Sequence, residues 1–398
     1  MRVIVPLVLS ILLCSGDGAS ASRMRLQEFS TRRYNIHSDL SLTEVRQFGR
    51  HMDAVFDEFA RRFKAFAPRH EKSMPLYLFA DRETYVQFMG DAGVDASNTG
   101  GMFFVQPKLR GLATWVRGRP QSQSFAVLQH EGFHQFAHQY IGPTLPIWAN
   151  EGLAQYFEDG IFLRGRLLLG HRHDRRVTGV RQAIQDQRTI PFTDMLAMTD
   201  RAWSRQVTST EGGAAVMYDQ AWSMVYYLIR TSKKRAKAFA RYLEVLSDGK
   251  QGLDAFREVF GDNVRAFERG WTKFAMSTQP DMLNTAVVRM EFLGQGLKLL
   301  RERDYRMPRT LEQLQKVLRD SKFWVDVYGH NNVTRFSAQD SVNFGFSLPG
   351  GRFQQFRLIK SPEPDLPPRI TAQGLNPVPT VVWSRDGEGK LVQQIAYR

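Results

Sequence analysis

Two histidines four residues apart, with a glutamate directly after the first, have the types and spacing for metal chemistry. They are His130, Glu131 and His134 in Gln129-His130-Glu131-Gly132-Phe133-His134. On a helix, positions i and i+4 share one face, so both imidazoles can reach a single ion. Glu131 falls at the edge of that face, where its carboxylate can hold a water at the metal and take its proton. This is the H-E-x-x-H spacing of zinc hydrolases: two ligands and a general base. A catalytic zinc takes three protein ligands and keeps one position open. The third can come from a following helix, and Glu151 in Trp148-Ala149-Asn150-Glu151-Gly152-Leu153-Ala154 is the candidate.

The elements that must hold these side chains show as periodicity. The motif segment carries Phe125, Leu128, Phe133, Phe136 and Tyr140 as core positions of a helix. Ser122 or Ser124 can cap it, and Gly142-Pro143 ends it. Upstream, 33–37, 75–79, 100–104 and 111–116 read as strands. Ser41 and Glu44 have capping-box spacing ahead of a helix with Val45, Phe48, Met52, Val55, Phe56, Phe59 and Phe63 at helical intervals. From 192 to 270 the pattern stays helical, and 282–301 and 310–318 continue it. After about Asp320 it changes to strands at 323–325, 342–348, 353–358 and 380–383, broken by Pro-rich loops. Strands interleaved with helices, then mostly helices, imply an α+β fold with a β-rich C-terminal module.

Trp148-Ala149-Asn150-Glu151-Gly152-Leu153-Ala154-Gln155-Tyr156 resembles the W-x-N-E-G-x-A-x-Y segment of gluzincin metallopeptidases, especially those of the aminopeptidase N type. The N-terminal half is closer to exported bacterial proteins of the peptidase-MA-like group. The resemblance covers roughly 30–250 and is specific around 125–160 and 215–230. It implies a zincin-like core of a small mixed sheet plus helices, with Zn²⁺ held by His130, His134 and Glu151. The family's later glutamate maps onto Glu158, which would touch a ligand rather than the metal. Tyr218-Asp219-Gln220-Ala221 resembles the stretch whose tyrosine stabilises the oxyanion, which makes Tyr218 a second catalytic candidate beside Glu131. One departure bears on specificity. Aminopeptidases of this type carry a G-x-M-E-N strand whose glutamate binds the substrate's free amine, whereas Gly100-Gly101-Met102-Phe103-Phe104 has no carboxylate. Endopeptidase action is therefore expected.

Other histidines fit less well. His138 stands four residues past His134 without the glycine turn of a three-histidine site, and reads as a flanking polar residue. His171 and His173 lie in a basic stretch that reads as a surface loop.

Composition sets the remaining bounds. The 398 residues are 42% apolar, enough for two or three packed domains. Met1-Arg2, the apolar run Val3 to Leu13 and Ala19-Ser20-Ala21 read as a signal peptide over 1–21. Leu13 stands where a lipid-anchoring signal would have a small residue, so anchoring at Cys14 is not expected. Cys14 is the only cysteine, and a mature chain without it must bind zinc through His and carboxylate. The expected division is a metallopeptidase domain over 22–275, a helical connector over 276–320 and the β-rich module over 321–398. A formal charge of +14 without any nucleic-acid motif suits contact with an anionic envelope surface better than nucleic-acid binding. The expectation is a secreted or periplasmic zinc peptidase acting on peptides or proteins. The alternative is a catalytically silent zincin-fold scaffold of the cell envelope.

Overall fold

The protein is described here from a computed structural model covering residues 26–66, 73–119, 121–163, 165–209, 213–328, 333–348, 351–385 and 389–398. The expected leader with Cys14, together with His70 and His330, lies outside the described residues.

β1 (Gln27–Ser30) and β2 (Tyr34–Ser38) pair antiparallel and lead into α1 (Leu42–Arg62). Ser41 starts this helix: its side chain accepts the Glu44 N–H while the Glu44 carboxylate accepts the Ser41 N–H at 3.0 Å. The helical stripe from Val45 to Phe59 is buried, as its spacing requires. Then come β3 (Met74–Phe79), α2 (Arg82–Asp91), β4 (Gly101–Val105) and β5 (Arg110–Trp115). The sheet runs β1-β2-β3-β5-β4, with β2, β3 and β5 parallel and β4 antiparallel at one edge. Tyr77, Phe79 and Ala113 pack with Tyr85 and Met89 of α2, while Leu76, Leu78 and Leu112 belong to the main core with α1 and the motif helix.

That helix, α3 (Gln121–Phe136), runs into a π turn over Ala137–Ile141 and stops at Gly142, whose φ is 97°. It begins at Gln121, so Ser122 and Ser124 lie inside its first turns and are not its caps. Longer-range partners use both hydroxyls. Ser124 Oγ accepts from Arg119 Nε at 3.1 Å, and Ser122 Oγ donates to Glu291.

α4 (Ile147–Glu158) follows, then the hairpin β6 (Ile161–Leu163) and β7 (Arg166–Leu168). Seven helices complete the core: α5 (Asp174–Gln185), α6 (Phe192–Ala197), α7 (Asp200–Ser209), α8 (Gly213–Arg230), α9 (Lys233–Ser247), α10 (Gly252–Phe260) and α11 (Val264–Ser277). The basic stretch read as a surface loop is loop only over 171–173, where it is half-buried. Residue 173 caps α5, Val177, Val180 and Ala183 bury one of its faces, and Arg176 is buried with them. α8 is the central helix, with every residue from Val216 to Leu228 buried.

A second core begins after 275. α12 (Met282–Glu302) and α13 (Leu311–Asp320) bury Met290, Phe292, Leu297 and Leu314 with Phe346, Ile370, Val381 and Trp383 of the strands. The strands are β8 (Trp324–Tyr328), β9 (Val333–Ser337), β10 (Gly345–Ser347), β11 (Phe353–Gln355), β12 (Arg357–Ile359), β13 (Arg369–Thr371), β14 (Pro379–Arg385) and β15 (Leu391–Tyr397). They form one four-stranded sheet, β12-β13-β14-β15, and the pairs β8-β9 and β10-β11. Two expected strands are corrected. Ser341–Phe344 is a 3₁₀ turn that leaves Val342 exposed, so only Gly345–Ser347 is strand. The 353–358 run is split at buried Phe356, with its halves in different sheets. The fold is α+β, and no helix among the described residues is long and apolar enough to cross a membrane.

α4 and α8 approach closely at Gly152. A β-carbon there would lie 2.5 Å from the Ala221 carbonyl oxygen and 2.7 Å from Val225 Cγ2. The helix backbone cannot yield as a flexible side chain would, so Gly152→Ala is expected to cost about 1–3 kcal/mol through overpacking. An unchanged urea unfolding midpoint in that variant would show that the two helices can part without penalty.

Candidate metal centre

α3 and α4 bring the three candidate ligands to one point. Phe133, Phe136 and Leu128 fix α3 in the core, which leaves His130 and His134 on the face turned toward α4. His130 Nε2 and His134 Nε2 lie 3.1 Å apart, and Glu151 Oε2 is 3.5 and 3.6 Å from them. Among the described residues, this is the group whose ligand atoms cluster as a metal site requires. A zinc ion about 2.0–2.1 Å from each donor at the tetrahedral angle needs donors about 3.3–3.4 Å apart. The observed triangle brackets that spacing.

The chemistry of the donor set also fits a cation. His130 Nδ1 faces Glu158 Oε2 at 3.0 Å, and His134 Nδ1 faces Asn150 Oδ1 at 3.1 Å. Both oxygens are acceptors, so in the neutral rings the proton sits on each Nδ1 and a lone pair is left on each Nε2. Two lone pairs and a carboxylate oxygen thus converge. Glu151 Oε2 is buried and makes no hydrogen bond of ordinary geometry. Burial works against charge on His130 and His134, yet the neighbouring carboxylates, Glu151 first among them at both rings, hold both imidazoles above their usual range. Burial likewise opposes the Glu151 carboxylate, and the two imidazoles still hold it well below the usual range. These shifts record the mutual pairing of the two imidazoles with the carboxylate. Two imidazoles and one carboxylate are a typical catalytic zinc set.

Glu131 is turned toward the sheet. Its Oε2 accepts the backbone N–H of Phe103 on edge strand β4 at 2.8 Å. Burial pushes its carboxyl up, partly opposed by the two imidazoles and this N–H. A carboxylate moved toward neutrality is a better proton acceptor near pH 7.

Tyr218 is buried on α8, on the same face as Ala221 and Val225, which meet α4 at Gly152. Its ring stands perpendicular to Trp203 at 5.4 Å. His138 is exposed in the π turn, 5.4 Å from the Phe103 ring, and takes no part in the ligand group. His171 Nδ1 is 2.5 Å from Asp281 Oδ2, and His173 Nδ1 accepts the Arg175 N–H as the cap of α5, so neither joins a ligand cluster.

Three contributors escaped the sequence reading: Asn150, the Phe103 N–H and Arg176, whose Nη2 lies 2.9 Å from Glu158 Oε2. Asn150 had a visible signal, since it directly precedes the candidate ligand. Arg176 had a weaker one, a charge at helical spacing from Val180 and Ala183. The Phe103 amide had none.

A family model described as a protein of unknown function (DUF1570) matches residues 124–253. The matched span holds His130, Glu131, His134, Glu151, Glu158, Arg176 and Tyr218, and stops short of β4. No curated protein matches the chain.

Purified protein is expected to bind one zinc per chain. His130→Ala, His134→Ala and Glu151→Ala should each weaken zinc by more than the ~10–100-fold typical of losing a hydrogen-bond partner behind a ligand. If Glu151→Ala competes with a chelator as well as the parent does, the third ligand lies elsewhere.

Proposed function

We propose that this chain is a zinc-dependent peptidase of gluzincin type that cleaves within peptide chains. The observation that carries the reading is the triangle of His130 Nε2, His134 Nε2 and Glu151 Oε2, with Glu131 anchored beside it on the sheet edge. Zinc, when bound, supplies Lewis-acid polarisation of a carbonyl and lowers the pKa of a water. Glu131 takes the proton from the attacking water and returns it to the leaving nitrogen. One of its oxygens is tied to Phe103, which orients the other for transfer.

The edge strand supports a peptide substrate. β4 is the last strand of the sheet and lies beside Glu131, so an extended chain can align along it through backbone hydrogen bonds. Gly101, Met102, Phe103, Phe104 and Val105 carry no carboxylate for a free amine, which favours internal cleavage. The sequence adds an expected leader, so the proposed setting is secreted or periplasmic.

The decisive variant is Glu131→Gln, which keeps size and loses the base. On a proteome-derived peptide mixture its turnover should fall ~10²–10⁴-fold while zinc stays bound. Equal turnover by variant and parent would sink the mechanism. A parent that binds zinc and cleaves nothing in a broad peptide library would instead favour a silent scaffold.

Tyr218 tests how far the resemblance extends. Its hydroxyl is assigned to charge that appears only in the transition state, so Tyr218→Phe should lower kcat more than it raises KM. The loss is on the order of 10²–10³-fold for one oxyanion donor. Zinc content should hardly move, because the ring and its Trp203 contact remain. Undiminished kcat would remove Tyr218 from the mechanism and send the search for an oxyanion donor elsewhere.

A further inference from the structure

Behind the ligands lies a buried ionic cluster that the proposed chemistry does not use. Glu158 is the last residue of α4 and Asp159 its C-cap, so two carboxylates sit where the helix dipole disfavours negative charge. Arg176 reaches them from α5 with its side chain 5% exposed. Its Nη2 is 2.9 Å from Glu158 Oε2, its Nε 3.3 Å from Asp159 Oδ2, and its Nη1 3.9 Å from Asp219 Oδ1 on α8. Nη1 also donates to Gln155. Arg175 Nη2 adds a second cation 3.6 Å from Asp219 Oδ1. Burial works against the Arg176 charge, but the surrounding carboxylates outweigh it and keep the guanidinium charged.

The link to the metal centre is one atom. Glu158 Oε2 faces both Arg176 Nη2 and His130 Nδ1, at 2.9 and 3.0 Å. The carboxylate is therefore held between a fixed guanidinium and the imidazole whose other nitrogen faces the metal position. Close packing fixes the guanidinium. A β-carbon at Gly179, one turn along α5, would lie 2.4 Å from Asp219 Oδ2, so α5 and α8 meet here without a gap.

We propose that Arg176 is a positioning residue of the metal centre, acting through Glu158 to orient His130 and so to set zinc affinity. This rests on the zinc-site reading above. Without Arg176, Glu158 and Asp159 repel one another at the helix end, and Glu158 loses the contact that aims it at Nδ1. The ring then keeps its place in the core but not its preferred orientation and basicity. Losses of partners behind metal ligands typically cost ~10–100-fold in affinity, which is the size expected here. Lysine keeps the charge but cannot reproduce the planar fork that meets several acceptors together.

The test is zinc affinity, read by competition with a chromogenic chelator, alongside thermal unfolding of the metal-free proteins. Glu158→Gln and Arg176→Gln should each weaken zinc ~10–100-fold. The double variant should be no weaker than the weaker single, because both act through one hydrogen bond. Arg176→Lys should fall between Arg176→Gln and the parent. A variant that unfolds at lower temperature yet binds zinc like the parent would reduce Arg176 to a structural ion pair and overturn the proposal. If Arg176→Gln does not fold, the lysine variant decides: its effect should vanish in the Glu158→Gln background, and an equal effect in both backgrounds overturns the coupling. A parent that binds no zinc would defeat the site reading itself, a result distinct from a parent that binds zinc regardless of residue 176.

Discussion

Three electron-rich atoms held within 3.6 Å of one another in the interior are the constraint on which this structure turns. Two helices hold them there. α3 is pinned by Phe59, Phe133, Phe136 and Phe157, whose rings meet edge-on, tilted or stacked at 4.6–5.6 Å. α4 is pressed against α8 at Gly152, beside Glu151. Packing in the core thus stores an arrangement that a cation at the centre would stabilise. The pairing across this triangle raises the two histidines and lowers the Glu151 carboxyl.

The second core bears on the same helix from its other end. Ser122, near the start of α3, donates to Glu291 of α12, and Glu291 is buried with its carboxyl pushed up to about 7. Gln393 of β15 in turn donates to the Glu291 carbonyl at 3.1 Å. The C-terminal unit therefore secures the α3 N-terminus, while the ionic cluster around Arg176 holds the far side of the His130 imidazole. Between these anchors α3 has little freedom to rotate its histidines away from Glu151.

What the sequence revealed follows from the range of each interaction. His130 and His134 were legible because their spacing is a property of one helix. Glu151 was legible because it sits in a distinctive short segment. The amphipathic helices α1 and α3 were legible because one face is buried along their length. Arg176 gave little signal because two adjacent arginines look like a solvated surface, and only packing against α4 and α8 shows otherwise. The Glu131–Phe103 bond joins residues 28 apart through a backbone N–H that no side chain announces. In the C-terminal module, Val342 to Leu348 looked like one strand because it is apolar. The exposure of Val342 against buried Phe344 and Phe346 shows that the alternation breaks at the 3₁₀ turn.

In the proposed peptidase, the Phe103 bond would also tie catalysis to recognition. Burial raises the Glu131 carboxyl, and the two imidazoles and the Phe103 N–H oppose that shift. An N–H donor at 2.8 Å stabilises the ionised form and fixes one oxygen, leaving the other as the acceptor. That donor belongs to the edge strand along which an extended peptide would lie. Any shift of β4 on engaging a substrate would alter the carboxylate's orientation and its proton affinity together. A strand able to seat only a well-aligned backbone would then hold the base in working position only for such a substrate. Selectivity for extended peptide over other hydrolysable groups can therefore arise from one backbone amide, without a dedicated side-chain pocket.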